Sequence, residues 1–197
     1  MTHLDIVARL ILVALVAFNF AGAAAARASE NDDLYAKSAA LRPDQAVWRD
    51  AVKPTTEPLT LTVSLALQRV YVFRGRSLIG TASVSTGRAR KETPSGAYRI
   101  LQKARWHRSN LYSNAPMPFM QRLTWDGIAL HAGHNPGRPA SHGCVRLPPA
   151  FARALFGMTS LGDVVMVTDY PDVAIDLDWA AVELPDSTGP RLKYQDF

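Results

Sequence analysis

The stretch Ile128 to Pro148, I-A-L-H-A-G-H-N-P-G-R-P-A-S-H-G-C-V-R-L-P, holds the only cysteine of the 197-residue chain and three of its five histidines. A thiolate is a strong nucleophile, and an imidazole in reach can take its proton. Cys144 follows Ser141, His142 and Gly143 directly, and His131 lies upstream at the end of an apolar run. Gly133, Gly137 and Gly143 give the backbone turns that side chains would forbid, while Pro136 and Pro139 stiffen the segment between them. A lone cysteine is most often a small buried hydrophobe. Here it sits in a polar Gly/Pro loop fed by a strand-like run, Gly127 to Leu130, which is a common design for a reactive site.

Outward from this stretch the pattern is that of strands. Leu59, Leu61, Val63 and Leu65 alternate with Thr60, Thr62 and Ser64, as in a half-buried strand. Gln68–Phe73 and Ser77–Val84 follow as second and third strands, with Arg74 to Arg76 as the turn between them, so this set should pair antiparallel. Ala97–Lys103, Gly127–His131 and Asp163–Thr168 read as three more. One helix is clear: Pro149 suits its first turn, Phe151, Ala154 and Leu155 form an apolar face, and Gly157 can end it. The fold class is mainly β, a curved mixed sheet or β-sandwich with one or two short helices.

Residues 1–28 read as a secretory signal, with Arg9 before an apolar run from Leu10 to Phe18 and Ala-x-Ala options ending at Ala26 or Ala28. An uncleaved membrane anchor is the alternative, since the apolar run with its alanines approaches the ~20 residues needed to span. Residues 29–58 contain Pro43, Pro54 and Pro58 and no clear period, and read as a linker with a short helix near Asp44–Val52 and Trp48 docked on the main domain. The catalytic domain is placed at 59–169 and a C-terminal tail at 170–197, acidic in its first half. With 48% hydrophobic and 20% charged residues the chain has a globular composition, and its length suits one domain. The net charge is +5, and loss of the signal segment removes two arginines and one aspartate, leaving +4. In an exported protein this favours a carboxylate-rich polymer over nucleic acid as partner, or simply aids solubility. An exported chain with one cysteine has no internal disulfide, so its thiol calls for a chemical reason.

The S-H-G-C-V-R run at Ser141–Arg146, with His131 upstream, resembles the catalytic motif of the L,D-transpeptidases, the YkuD-type cysteine enzymes of the bacterial cell wall. Three further pieces occur in the right order: Q-R-V-Y-V-F at Gln68–Phe73, V-S-T-G at Val84–Gly87 and T-P-S-G at Thr93–Gly96. The resemblance covers about Leu59 to Asp169. It implies the family's β-rich fold, Cys144 as nucleophile, His131 as proton acceptor and donor, and the Ala132 carbonyl as the group that orients His131. Many members have Gly-Thr or Gly-Ser after that histidine where this chain has Ala132-Gly133, and the loop to Cys144 is somewhat short. Ser141, His142, Gly143 and Arg146 fall at the oxyanion and substrate-binding positions, with backbone N–H groups around Gly143 and Cys144 as oxyanion donors and Arg146 on a substrate carboxylate.

The implied reaction is acyl transfer in a monomeric periplasmic or envelope enzyme: Cys144 attacks a peptidoglycan stem tetrapeptide, releases D-alanine, and the thioester passes to an amine. That amine belongs to a second stem (a 3→3 cross-link), an outer-membrane protein lysine or a free D-amino acid; water would make the protein a hydrolase of stem peptides. A non-catalytic wall-binding module is the alternative from another class. No cofactor is expected. A zinc site from His131, His134, His142 and Cys144 is the other reading of the same residues, but an H-x-x-H pair on a Gly/Pro loop does not bring two rings together as a helix would. Two loops remain: Ser85–Gly96, read as a wall of the site or a solvated hairpin, and Trp106–Trp125, whose length suits a lid or a segment folded onto the core.

Overall fold

The computed structural model describes residues 25–49, 57–111 and 113–170. The signal segment before residue 25 and the tail after residue 170 lie outside the described residues. A helix, α1 (residues 25–39), precedes strands β1 (Ala46–Trp48), β2 (Leu59–Ser64), β3 (Arg69–Arg74), β4 (Ser77–Ser83) and β5 (Gly96–Arg99). Then come β6 (Gln102–Ala104), β7 (Met120–Arg122), β8 (Ala129–Ala132), β9 (Val145–Leu147), helix α2 (Pro149–Met158) and β10 (Val164–Thr168). Six strands form one sheet in the order β1-β4-β3-β2-β10-β5, and four form a second in the order β6-β7-β8-β9. The mainly β class and the mixed pairing follow the sequence expectation. β2, β3 and β4 pair antiparallel, whereas β10 runs parallel to β2 and β9 parallel to β8.

The core lies between the two sheets and α2. Leu59, Leu61 and Val63 of β2 and Val70 and Val72 of β3 meet Leu130, Val145 and Leu147 of the second sheet and Phe151 and Leu155 of α2. Complete burial of Phe151 removes a large apolar side chain from water and contributes about 2–3 kcal/mol. Trp48 docks as expected: it stacks on Phe151 with centroids 4.5 Å apart and lies over Gly80, where a Cβ would fall 2.1 Å from the indole.

Several expectations are corrected. β2 is buried along its whole length rather than half-buried, and α1 covers the neighbouring strands β3 and β4. Leu34 and Tyr35 of α1 pack on Tyr71 and Leu78, and Ser38 Oγ lies 3.0 Å from Thr81 Oγ1. The Arg69 guanidinium donates to the Ser38 and Leu41 carbonyls at 3.0 and 2.7 Å, a cation at the helix C-terminus. The segment read as a linker, residues 29–58, is ordered on the sheet at residues 29–49, with α1 beginning at residue 25 within the segment read as a signal and strand β1 where a helix was expected near Asp44. The expected strand Ala97–Lys103 is two strands in different sheets. Ile100 N–H bonds the Asp163 carbonyl while Leu101 N–H bonds the Arg122 carbonyl, so the chain passes from one sheet to the other there. α2 runs through Gly157 to Met158, and Ala152 rather than Ala154 is on its buried face. Its C-terminus is capped by Lys103, whose Nζ donates to the Phe156 carbonyl at 2.7 Å and also to Thr159 O.

Candidate active site

The site is built on one parallel strand pair. Leu130, His131 and Ala132 of β8 stand beside Val145, Arg146 and Leu147 of β9. Side chains alternate across a strand, so neighbouring residues on paired strands share a face. Leu130, Ala132, Val145 and Leu147 face the core between the sheets. His131 and Arg146 therefore face the other way, and Cys144, two residues before Arg146, joins them against Ala129, Met117 and Met120. His131, Cys144 and Arg146 line one cleft of about 710 Å³, together with Trp106, Met117, Phe119, Gly127, Ser141 and His142.

His131 is buried, and its Nδ1 lies 2.8 Å from the Ala132 carbonyl oxygen. A carbonyl only accepts, so Nδ1 carries the proton and Nε2 is left with its lone pair. Burial holds the His131 pKa below the ordinary value; the Ala132 carbonyl opposes this, and Arg146 and His107 add to it. The ring is neutral at pH 7. A Cβ on Gly133 would fall 3.2 Å from the Arg146 Cγ and 3.3 Å from the His131 Cε1, so the absence of a side chain there lets ring and arginine stem close on one point.

Cys144 is half-buried, with its Sγ 3.3 Å from the Gly127 carbonyl oxygen, to which the thiol donates. Burial pushes its pKa up; the Ala129 backbone N–H and the charges of Arg146 and Arg122 pull the other way. The resting groups are thus a neutral thiol and a neutral imidazole lining one cleft.

The loop carrying Cys144 is closed by two hydroxyls. Ser141 is buried; its Oγ donates to the Cys144 carbonyl at 2.5 Å and accepts the Gly143 N–H at 3.0 Å. Thr93 Oγ1 donates to the Gly143 carbonyl at 2.8 Å and accepts the Gly87 N–H at 2.9 Å. Gly143 sits at φ +119°, and a Cβ would meet Ile128 Cδ1 at 2.7 Å, so both conformation and space require glycine. The Gly143 N–H is thus engaged within the loop, and the Ser141 hydroxyl is committed to the loop although the residue borders the cleft.

His142 is set apart from His131. It stands on the Gly143 turn rather than on a strand, is half-exposed, and its pKa is lowered chiefly by desolvation and then by Arg88, Arg146 and Lys91. Among the described residues Arg146 has no carboxylate within ion-pair distance, leaving its guanidinium open towards the cleft. His134 is exposed, 3.9 Å from an Asp44 carboxylate oxygen, and no group of three His, Cys, Asp or Glu side chains suited to a metal occurs among the described residues.

The two flanking loops differ from expectation in part. Ser85–Gly96 does not line the cleft; it buttresses the Cys144 loop from behind, through Thr93 and through the bridges Ser85↔Arg146 and Gly87↔Ser141. Gln68 holds that buttress in turn, its amide donating to Thr86 Oγ1 at 2.7 Å and accepting the Thr86 N–H at 3.0 Å. Trp106–Trp125 supplies a rim of the cleft: Phe119 packs on the core, while Trp106 and Trp125 are 77% and 63% exposed and so do not fold inward. The contributions of Thr93 and Gln68 were not legible as roles, although both lie in motifs the sequence singles out.

Residues 58–167 match the L,D-transpeptidase catalytic domain, YkuD. No curated protein matches the chain. Among solved structures, an L,D-transpeptidase from Stackebrandtia nassauensis is 29% identical with a TM-score of 0.53, over 60% of this chain and 59% of that one. L,D-transpeptidases from Mycobacterium tuberculosis H37Rv (21% identity, TM-score 0.54, 56% of this chain and 57% of that one) and Xylanimonas cellulosilytica (22%, 0.53, 59% and 63%) share the fold. The chain thus spans about three fifths of each of these proteins. With more than half of its length matched by the domain, with that fold, and with the Ser-His-Gly-Cys loop set beside His131, this chain belongs to the L,D-transpeptidase catalytic domain family.

Proposed function

We propose that the protein is a periplasmic cysteine transpeptidase acting on peptidoglycan stem tetrapeptides. The observation that carries this reading is the His131 ring, held by the Ala132 carbonyl with its Nε2 lone pair available, on the same strand face and in the same cleft as Cys144. The neutral pair sets the order of events. As Cys144 Sγ attacks the carbonyl of the third stem residue, a diamino acid, His131 takes the thiol proton, and the imidazolium returns it to the departing D-alanine amine. A side-chain amine of a second stem then attacks the thioester, His131 accepts its proton, and the thiol is regenerated. A protein lysine, a D-amino acid or water serves as acceptor in the variants of this reaction. Arg146, with no carboxylate partner among the described residues, is suited to hold one on the stem by a bidentate contact. The exposed Trp106 on the rim is suited to a peptide or glycan surface. Export rests on the signal segment; among the described residues no helix is long and apolar enough to cross a membrane.

The test is incubation of the protein with disaccharide-tetrapeptide and mass spectrometry of the products. Cross-linked dimers lacking one D-alanine are the expected result. Tripeptide alone would make it a hydrolase, and unchanged substrate would favour a wall-binding module.

A further inference from the structure

Thiol and imidazole do not by themselves fix the donor for the oxyanion, and the cysteine loop holds the groups that can. Ser141 uses the Gly143 N–H and the Cys144 carbonyl, and Thr93 uses the Gly143 carbonyl. The Gly143 carbonyl and the Cys144 N–H belong to one planar trans peptide and point in opposite directions. Holding the oxygen therefore aims the N–H. Thr93 lies on the buttress behind the loop, outside the cleft, whereas Cys144 lines the cleft, so an N–H directed away from Thr93 is directed to the side where substrate must sit.

We infer that Thr93 is the positioning residue of the oxyanion site: its hydroxyl sets the Gly143–Cys144 peptide plane and so presents the Cys144 N–H to the carbonyl oxygen of the acyl donor. Its own surroundings are made for this. Thr93 is 2% exposed, and its Oγ1 has both its proton and a lone pair committed, the latter to the Gly87 N–H at 2.9 Å. Gly87 comes so close that a Cβ would lie 2.0 Å from the Lys91 carbonyl and 2.5 Å from the Thr93 nitrogen. A threonine whose hydroxyl cannot rotate is a fixed dipole, and a donor aligned before reaction needs no reorganisation when the oxyanion forms.

This rests on Cys144 being the nucleophile but not on the natural substrate, and the experiment keeps the two apart. The probe is p-nitrophenyl acetate: the Cys144 sulfur forms a bond to the acyl carbon through an oxyanion, the C–O bond breaks, and p-nitrophenolate leaves. Iodoacetamide is the control, because displacement of iodide at a saturated carbon forms no oxyanion. In Thr93→Val, which keeps shape and loses the hydroxyl, acylation should fall by about 10- to 1000-fold while alkylation stays at the wild-type rate. Thr93→Ser should restore acylation. Should Thr93→Val not fold, Thr93→Ala, which also removes the hydroxyl and adds no second thiol, is carried through the same comparison. Equal losses of acylation and alkylation would show a merely structural clamp, and wild-type acylation without the hydroxyl would overturn the inference outright.

Discussion

The loop that carries Cys144 and the rim from Trp106 to Phe119 border the same cleft, yet they are built in opposite ways. In the cysteine loop the Gly143 N–H, the Gly143 carbonyl and the Cys144 carbonyl are each met by a buried hydroxyl, and Arg146 is bridged to Ser85 on both backbone groups. On the rim, Trp106 and Leu111 are 77% and 57% exposed; Arg108 bonds the nearby Asn114 carbonyl, and the Pro118 carbonyl ties the end of the rim to β8 by accepting the Ala132 N–H at 2.9 Å. Reacting groups need to be held to fractions of an ångström, whereas a surface that receives a polymer needs area and some give. The difference teaches that substitutions in the loop should act on the rate of chemistry and substitutions on the rim on substrate binding.

The hardest test of that division is removal of the thiol. Cys144→Ala and Cys144→Ser should lower turnover by about 10⁴-fold or more, at a stability cost of no more than about 1 kcal/mol for a half-buried side chain. Severe destabilisation with activity retained would instead make Cys144 a structural residue, and a thermal melt beside the rate measurement decides between them. His131→Ala follows, with an expected loss of about 10²- to 10⁴-fold in kcat/KM. The wild-type pH profile sharpens this. His131 acts as a base only when neutral, and its pKa is depressed, so the acid limb of kcat/KM should lie below pH ~6.5. An acid limb above that value would mean that a histidine in a different environment is titrating. His142→Ala should cost about 10- to 1000-fold in acyl transfer and leave the thiol reactive. The smallest effect is expected at the rim: Trp106→Ala should raise KM about tenfold, equivalent to about 1.4 kcal/mol of binding, with kcat unchanged. A fall in kcat there, with KM unmoved, would break the division between loop and rim.

What was legible in the sequence follows the same physical line. In β2 Leu and Val alternate with Thr and Ser, β3, β4 and β10 are apolar-rich runs long enough to be read as strands, and the reactive loop was marked by its chemistry. β7 (M-Q-R) and β9 (V-R-L) are three residues each, too short to carry a period, and they exist because β8 offers them hydrogen bonds. The helix over residues 25–39 has little apolar pattern of its own beyond Leu34 and Tyr35; it is stabilised by Tyr71 and Leu78 on the sheet, a tertiary cause that a local reading misses. In the site, the placement of Cys144 and His131 at one cleft was legible from one motif and one strand, and the Ala132 carbonyl as partner of the His131 ring came from the family resemblance. The engagement of the Gly143 N–H by Ser141 depends on a turn geometry that sequence does not show, and the grip of Thr93 joins residues 50 apart across a loop whose polar side chains look solvated in sequence.

The central claim is that His131, set by a strand, rather than His142, set by a glycine turn, activates Cys144. It is tested most directly by the pH dependence of Cys144 alkylation in His131→Ala and His142→Ala. Burial holds the thiol above its ordinary pKa, so without its base it should react appreciably only in strongly alkaline solution. The account predicts that His131→Ala loses the reaction at neutral pH by about 10²-fold or more and regains it only at high pH, while His142→Ala keeps the wild-type profile. A displaced profile in His142→Ala, with that of His131→Ala unchanged, would contradict it.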